Sequence, residues 1–126
     1  DGRWHTVFVK QKLAMRAGET DRAVTVENSM LYNLGSKIGS ALGHVGNLDC
    51  DVFMTEQGPV VLEMNPRFGG GYPFSHVAGA NIPAALLAWA RGDDVNPEWL
   101  QVKPGIVSAK CDRLVVRDIG SGARHI

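Results

Sequence analysis

The stretch LDCDVFMTEQGPVVLEMNPR, residues 48–67, decides the fold of this 126-residue chain. It holds two runs rich in apolar and β-branched residues, Leu48 to Met54 and Pro59 to Asn65, on either side of a short segment that ends in Gly58. Two runs of this length separated by a glycine-containing turn are typical of a β-hairpin. The stretch therefore predicts a pair of antiparallel strands.

The polar residues of this hairpin fall on one face. A turn centred on Gln57 sets Asp51 opposite Glu63 and Asp49 opposite Asn65, whereas a pairing shifted by one residue would bury the carboxylates. Side chains alternate between the two faces of a strand. The face opposite the acids is then wholly apolar and consists of Cys50, Val52, Met54, Val60, Leu62 and Met64.

Two carboxylates directly across a strand pair repel one another unless a cation neutralises them. Asp51, Glu63 and the amide of Asn65 offer only oxygen ligands, which is the donor set that Mg²⁺ prefers. Arg67 follows at the same end of the hairpin, and an arginine there can clamp phosphate oxygens. The glycines at 69–71 would let backbone N–H groups approach an anion.

Less specific interpretations of these residues stay open at this point. Asp51 and Glu63 can equally be solvated surface acids, and a run of three glycines is usually only a flexible loop. Arg67 can serve as an exposed ion-pair partner of Glu63, which would contribute little. The convergence of acids, amide and arginine at one end of one hairpin favours the metal and phosphate site.

The rest of the chain predicts a small mixed domain with an antiparallel sheet and two main helices. Aromatic and β-branched residues indicate strands, apolar residues at helical spacing indicate helices, and glycine-rich polar segments indicate loops. The predicted segments are a strand at Trp4–Lys10, a loop at Arg16–Asp21, an extended run at Ala23–Val26, a helix from Asn28 or Ser29 to Gly43, a loop at Pro66–Ser75, a helix from Asn81 to Gly92, a strand pair or one long strand at Gly105–Arg117 and a tail at Gly120–Gly122. The glycines Gly35 and Gly39 are expected to let the first helix lie close to a sheet.

Composition excludes several classes of protein. Basic and acidic residues both number 13, and the chain has no long basic run, so it predicts neither a nucleic-acid partner nor a membrane partner. Cys50 and Cys111 lie in apolar runs without metal-binding spacing, so both are expected to be buried thiols of a reducing compartment. A cytoplasmic location is the corresponding expectation.

The hairpin and its neighbours also resemble a known family. Residues 48–53, 61–73 and 78–83, together with the loop at 16–20, are similar to the C-terminal half of an ATP-grasp domain, in the variant found in carbamoyl-phosphate-synthase-like ligases. The resemblance covers residues 7–92. It implies one partial ATP-grasp domain over residues 1–126, a truncated C-terminal lobe of the α/β (α+β) class, in which 104–126 form a C-terminal strand and tail.

The resemblance also implies roles for single residues. Asp51 matches the first metal ligand, Glu63 the carboxylate that bridges two Mg²⁺ ions, and Asn65 the third ligand, which also contacts the nucleotide. Arg67 matches the arginine that holds the phosphates or the acyl phosphate, and Arg16 falls where the family places a contact to the transferred phosphate. Mn²⁺ would fit the same ligands as Mg²⁺.

The reaction implied is activation of a carboxylate by ATP to an acyl phosphate, followed by attack of an amine or similar nucleophile. The partners expected are therefore a small carboxylate, an amine-type substrate and the remaining lobe of the ATP-grasp fold. The alternative is a noncatalytic module that binds nucleotide or metal on the same scaffold.

Asp1-Gly2 is a hairpin turn signal, and the chain contains only the strand that would follow this turn. We therefore expect the 126 residues to be a fragment that lacks the groups for adenine and the α-phosphate. On this expectation the fragment alone binds Mg-ATP weakly and is inactive.

Overall fold

A computed structural model describes residues 2–116. The chain forms a small α+β fold with antiparallel sheets and a few helices, which confirms the expected class. Its elements are β1 (Lys10–Arg16), β2 (Glu19–Thr25), α1 (Ser29–Leu42), β3 (Asp49–Thr55), β4 (Gly58–Asn65), α2 (Tyr72–Val77), α3 (Ile82–Arg91), a short 3₁₀ helix (Pro97–Leu100) and β5 (Val107–Ala109).

The strands form two separate sheets. In the first, β2 lies between β1 and β5, and all its neighbours are antiparallel. In the second, β3 and β4 form the predicted hairpin. The buried core lies mainly on β2, α2 and α3 and is built from small residues and two larger ones, namely Ala23, Phe74, Ala78, Ala80, Ile82, Ala85 and Ala88.

The two main helices begin and end where the sequence predicts. Asn28 caps α1, since its Oδ1 accepts a hydrogen bond from the Leu31 N–H at 3.0 Å. Gly43 ends α1 with a φ of 57°, a left-handed conformation that favours glycine. Asn81 and Gly92 play the same two roles for α3.

The first strand was predicted wrongly, because regular pairing begins at Lys10 and not at Trp4. The preceding segment lies against α1 instead. A Cβ added to Gly39 would come within 2.8 Å of the Trp4 Cβ, and one added to Gly35 within 2.7 Å of Val7 Cγ1. Because both positions lack a side chain, the extended segment can pack closely on α1. The prediction was that these glycines would let α1 lie close to a sheet.

Three further predictions need correction. The loop expected at Pro66–Ser75 contains the start of α2, which forms because Phe74 and Ser75 are buried and a proline occupies its first turn. Within residues 2–116 the C-terminal strand is Val107–Ala109, while Arg117 and the predicted tail at Gly120–Gly122 lie outside the described residues. The polar loop at Arg16–Asp21 is a tight turn at Ala17-Gly18, because β1 and β2 extend into it.

The hairpin has the predicted register at its acidic end. Asp51 pairs with Glu63, and Asp49 pairs with Asn65. Beyond Asp51 the register shifts by one residue, so that Val60 pairs with Phe53 and not with Met54 as predicted. The apolar residues of β4 stay largely exposed in this chain, with Leu62 at 62%.

None of the helices within residues 2–116 combines the length and the apolar character needed to cross a bilayer.

Candidate functional site

The acidic end of the hairpin holds the two carboxylates that the sequence predicts to meet. Asp51 on β3 lies directly opposite Glu63 on β4. The positive charge beside them comes from β1, where Lys12 Nζ donates to both carboxylate oxygens of Asp51 at 2.8 Å. A cation therefore does neutralise part of this acid pair, and here it is an ammonium group.

Asn65 completes the predicted ligand set on the same strand as Glu63. The two residues are two positions apart, so their side chains lie on one face of β4. Asn65 Nδ2 donates to Glu63 Oε1 at 2.8 Å, which orients the amide toward the carboxylate. The fold thus brings Asp51, Glu63 and Asn65 together.

Arg67 lies at the same end, next to Asp49 and the glycine loop. Its Nη1 is 3.8 Å from Asp49 Oδ2 and donates to the Phe68 carbonyl at 3.1 Å. Its side chain is 58% exposed, so most of the guanidinium is accessible to an anion. Gly69 packs directly on the Asp49 carboxylate, where a Cβ would clash with it.

Lys10 belongs to this cluster, although sequence reasoning did not select it. Its Nζ donates to Ser75 Oγ at 2.9 Å, and Ser75 is fully buried. Burial lowers the pKa of Lys10, while the charges of Asp49 and Asp51 oppose that change. The lysines two residues apart on β1 were a usable signal, but the strand was predicted to lie earlier, so their common face was not recognised.

Five residues of this cluster line one large cleft of about 1790 Å³, namely Lys10, Lys12, Asp51, Glu63 and Arg67. Positively and negatively charged side chains therefore lie together in this cleft, around the acidic end of the hairpin. Such a mixed lining suits a ligand that carries both phosphate oxygens and a metal ion.

Arg16 lies in a different place from Arg67. It lines a smaller pocket of about 410 Å³, which includes Lys110 and shares Glu19 with the larger cleft. Its guanidinium donates to both carboxylate oxygens of Asp112, at 2.7 and 3.2 Å. The hydrogen bonds and the charge of Asp112 raise the pKa of Arg16. The two predicted phosphate-binding arginines therefore line different pockets and have different carboxylate partners, Asp112 for Arg16 and Asp49 for Arg67.

The glycine loop lies between the two pockets. A Cβ added to Gly70 would lie 3.8 Å from Glu19 Oε2 and 3.9 Å from Lys110 Nζ, in the pocket of Arg16. A Cβ added to Gly71 would lie 3.4 Å from Lys10 Cε, in the larger cleft. The loop therefore borders both groups of charges.

A metal ion at this site would need ligands beyond acidic side chains. Within residues 2–116 no group of three or more His, Cys, Asp or Glu residues is placed to hold a metal ion. Asp51 and Glu63 with the Asn65 amide leave the remaining positions to water and phosphate, which is the usual state of Mg²⁺ in nucleotide sites.

A family model for ATP-grasp proteins matches residues 1–113. The chain belongs to the ATP-grasp family, a class of ATP-dependent ligases. The matching model is described as ATP-grasp in the biosynthetic pathway with Ter operon. The comparison with curated proteins gave no match.

The two cysteines differ in a way that the sequence did not predict. Cys111 is exposed, against the expectation of a buried thiol, because the chain after Ala109 has left the sheet. Cys50 is half-buried, and burial, followed by the charges of Asp49 and Asp51, raises its thiol pKa.

We therefore expect iodoacetamide to modify Cys111 at least about threefold faster than Cys50 near pH 8, because alkylation requires an accessible thiolate. Peptide mass spectrometry over a time course measures both rates. In urea, where the fold no longer protects Cys50, the rates should converge. Faster modification of Cys50 in the folded chain would contradict this assignment.

Proposed function

We propose that this chain supplies the Mg-ATP phosphate end of a carbamoyl-phosphate-synthase-like ligase. The ligase activates a carboxylate as an acyl phosphate, which an amine or similar nucleophile then attacks. The observation that carries the proposal is the opposed pair of Asp51 and Glu63, in which the Lys12 ammonium contacts the Asp51 carboxylate. Membership of the ATP-grasp family supports ATP-dependent ligation in general.

The residues present fit a divalent cation. Asp51, Glu63 and Asn65 would hold Mg²⁺ or Mn²⁺ through oxygen atoms, and the Lys12 ammonium is a stand-in for the positive charge. When bound, the metal would neutralise phosphate charge and polarise the transferring group. The protein contributes the fixed register that sets the two carboxylates opposite each other.

The arginines would act on the phosphate oxygens. Arg67 is suited to this because it is largely exposed at the cleft and its partner Asp49 is 3.8 Å away. Arg16 would first have to exchange its contacts with Asp112 and Asp21. We assign the contacts with adenine and the α-phosphate to the remaining lobe of the ATP-grasp fold.

A noncatalytic nucleotide-binding or metal-binding module is the second candidate. One observation favours it, namely that Asp51 and Arg16 are both neutralised within the chain, by Lys12 and Asp112. Such a module would bind metal and nucleotide without turnover. Assays of the complete protein separate the two candidates, because only the ligase releases ADP when a carboxylate and an amine are supplied.

The metal assignment is tested with Asp51→Asn and the matched control Asp93→Asn, whose residue is exposed after α3. Loss of a direct ligand should weaken Mn²⁺ binding at least about tenfold, since even supporting groups around metal sites contribute 10–100-fold. Electron paramagnetic resonance of free Mn²⁺ measures the affinity, and circular dichroism checks the fold. Equal Mn²⁺ affinity in the two variants would remove Asp51 from the site.

A further inference from the structure

The Lys12 ammonium occupies the place of a counter-cation for Asp51. Its Nζ lies 2.8 Å from each of the two carboxylate oxygens. Asp51 in turn faces Glu63 across the hairpin, so the ammonium offsets part of a repulsion between like charges. A divalent cation at Asp51 would compete with Lys12 for the same oxygens.

The contact between Lys12 and Asp51 is one that can be released. The Lys12 side chain is 42% exposed and that of Asp51 is 32% exposed, and ion pairs this accessible contribute little to stability. The pair also joins β1 of the three-stranded sheet to β3 of the hairpin, which belong to different sheets. No shared ladder of backbone hydrogen bonds holds these two residues together.

Lys10 provides the contrast on the same strand. Its ammonium donates a hydrogen bond to Ser75 Oγ at 2.9 Å, and this contact is partly buried. Ser75 is fully buried, so the Lys10 contact is less accessible than the exposed contact between Lys12 and Asp51. Of the two lysines that approach the acids, Lys10 is held in place and Lys12 is free to exchange.

Phosphate oxygens bound in the cleft would be a second acceptor for the released ammonium. Lys12, Arg67 and the loop glycines Gly70 and Gly71 all line it. Phosphate oxygens that accompany a metal ion into this cleft would meet the Lys12 side chain there. A lysine ammonium is a compact charge on a flexible stem, well suited to follow an anion over a short distance.

We propose that Lys12 exchanges partners at this site. It neutralises Asp51 while no divalent cation is bound, and it binds the phosphate oxygens once a metal ion has taken Asp51. This inference rests on the proposed function, because it requires metal at Asp51. It adds a phosphate-binding residue from β1 and explains how the acid pair stays stable before the nucleotide arrives.

Lys12→Gln tests the exchange, with Lys37→Gln on the exposed face of α1 as the matched control. The probes are Mn²⁺ alone and inorganic tripolyphosphate in the presence of Mn²⁺, so the result does not depend on a grip on adenine. Electron paramagnetic resonance measures the first affinity, and isothermal titration calorimetry measures the second.

Opposite changes are expected for the two probes. Without its competitor, Asp51 should bind Mn²⁺ about threefold more tightly, in line with the small free energy of an exposed ion pair. Loss of a charged donor should weaken tripolyphosphate binding about tenfold. Lys37→Gln should match the wild type in both. If Lys12 had only a structural role, Lys12→Gln would change both affinities in the same direction.

Three results would overturn the inference, and they are distinguishable. If Asp51→Asn weakens Mn²⁺ binding but Lys12→Gln behaves like Lys37→Gln, the exchange is wrong and the metal site stands. If Asp51→Asn leaves Mn²⁺ binding unchanged, the proposed metal site fails and the exchange fails with it. A change of the same sign for both probes in Lys12→Gln also rejects the exchange.

Discussion

Replacing Glu63 by glutamine is expected to reduce ATP-dependent ligation by the complete protein at least about 100-fold while leaving its fold intact, the scale seen when one group that stabilises transition-state charge is lost. Glutamine keeps the size of the side chain and can still accept the hydrogen bond from Asn65. It removes the charge that would help Asp51 hold a divalent cation. Glu63 is exposed, so its neutralisation should not disturb packing.

The matched control for this prediction is Glu56→Gln in the turn of the same hairpin. It removes one acidic charge from the same element, away from the Asp51 pair. The measurement is ADP release over a panel of carboxylates, with hydroxylamine as a nucleophile that traps acyl phosphates. Full activity of Glu63→Gln, or an equal loss in Glu56→Gln, would show that Glu63 is not a metal ligand.

Replacing Thr25 by valine should lower the free energy of unfolding by about 1–3 kcal/mol, because two partly buried hydrogen bonds to the backbone would be lost. Thr25 is 1% exposed. Its Oγ1 donates to the Lys103 carbonyl at 2.6 Å and accepts from the Ile106 N–H at 3.0 Å. Valine has nearly the same shape, so the change removes hydrogen bonds rather than volume.

Thr20→Val in the same strand is the control for Thr25→Val. Thr20 is also buried, and its side chain makes no hydrogen bond with any residue in 2–116. Replacing a hydroxyl that lacks a partner by a methyl group should be nearly neutral. Urea unfolding followed by circular dichroism gives both values. Equal losses in the two variants would mean that the hydrogen bonds of Thr25 do not hold β5 in place.

Local signals predicted most of the regular structure. The caps Asn28 and Gly43 act within a few residues of themselves, through one side-chain hydrogen bond and one left-handed backbone conformation. Caps of this kind need no distant partner, and they were predicted correctly. The pair of Asp51 and Glu63 was also predicted correctly, but the turn lies slightly earlier than expected, and the register at Asp51 is reached through a bulge.

Features that depend on distant contacts were missed. The segment around Trp4 has the composition of a strand, yet it packs on α1 because glycine at 39 leaves room for it. The short helix α2 depends on the burial of Phe74, which no local pattern indicates. The bulge beyond Asp51 moves Val60 to a new partner, and alternation alone cannot reveal an extra residue.

The candidate site also has a part that local sequence predicts and a part that depends on distant contacts. The sequence alone determined that Asp51, Glu63, Asn65 and Arg67 gather at one end of a hairpin, because strand geometry brings residues so near in sequence together. Only the tertiary structure decided that Lys12 neutralises Asp51 and that Asp112 contacts Arg16. These ion pairs join residues 39 and 96 positions apart. Charge attraction has no periodicity along the chain, so the partner of each charge is known only once the sheets are packed.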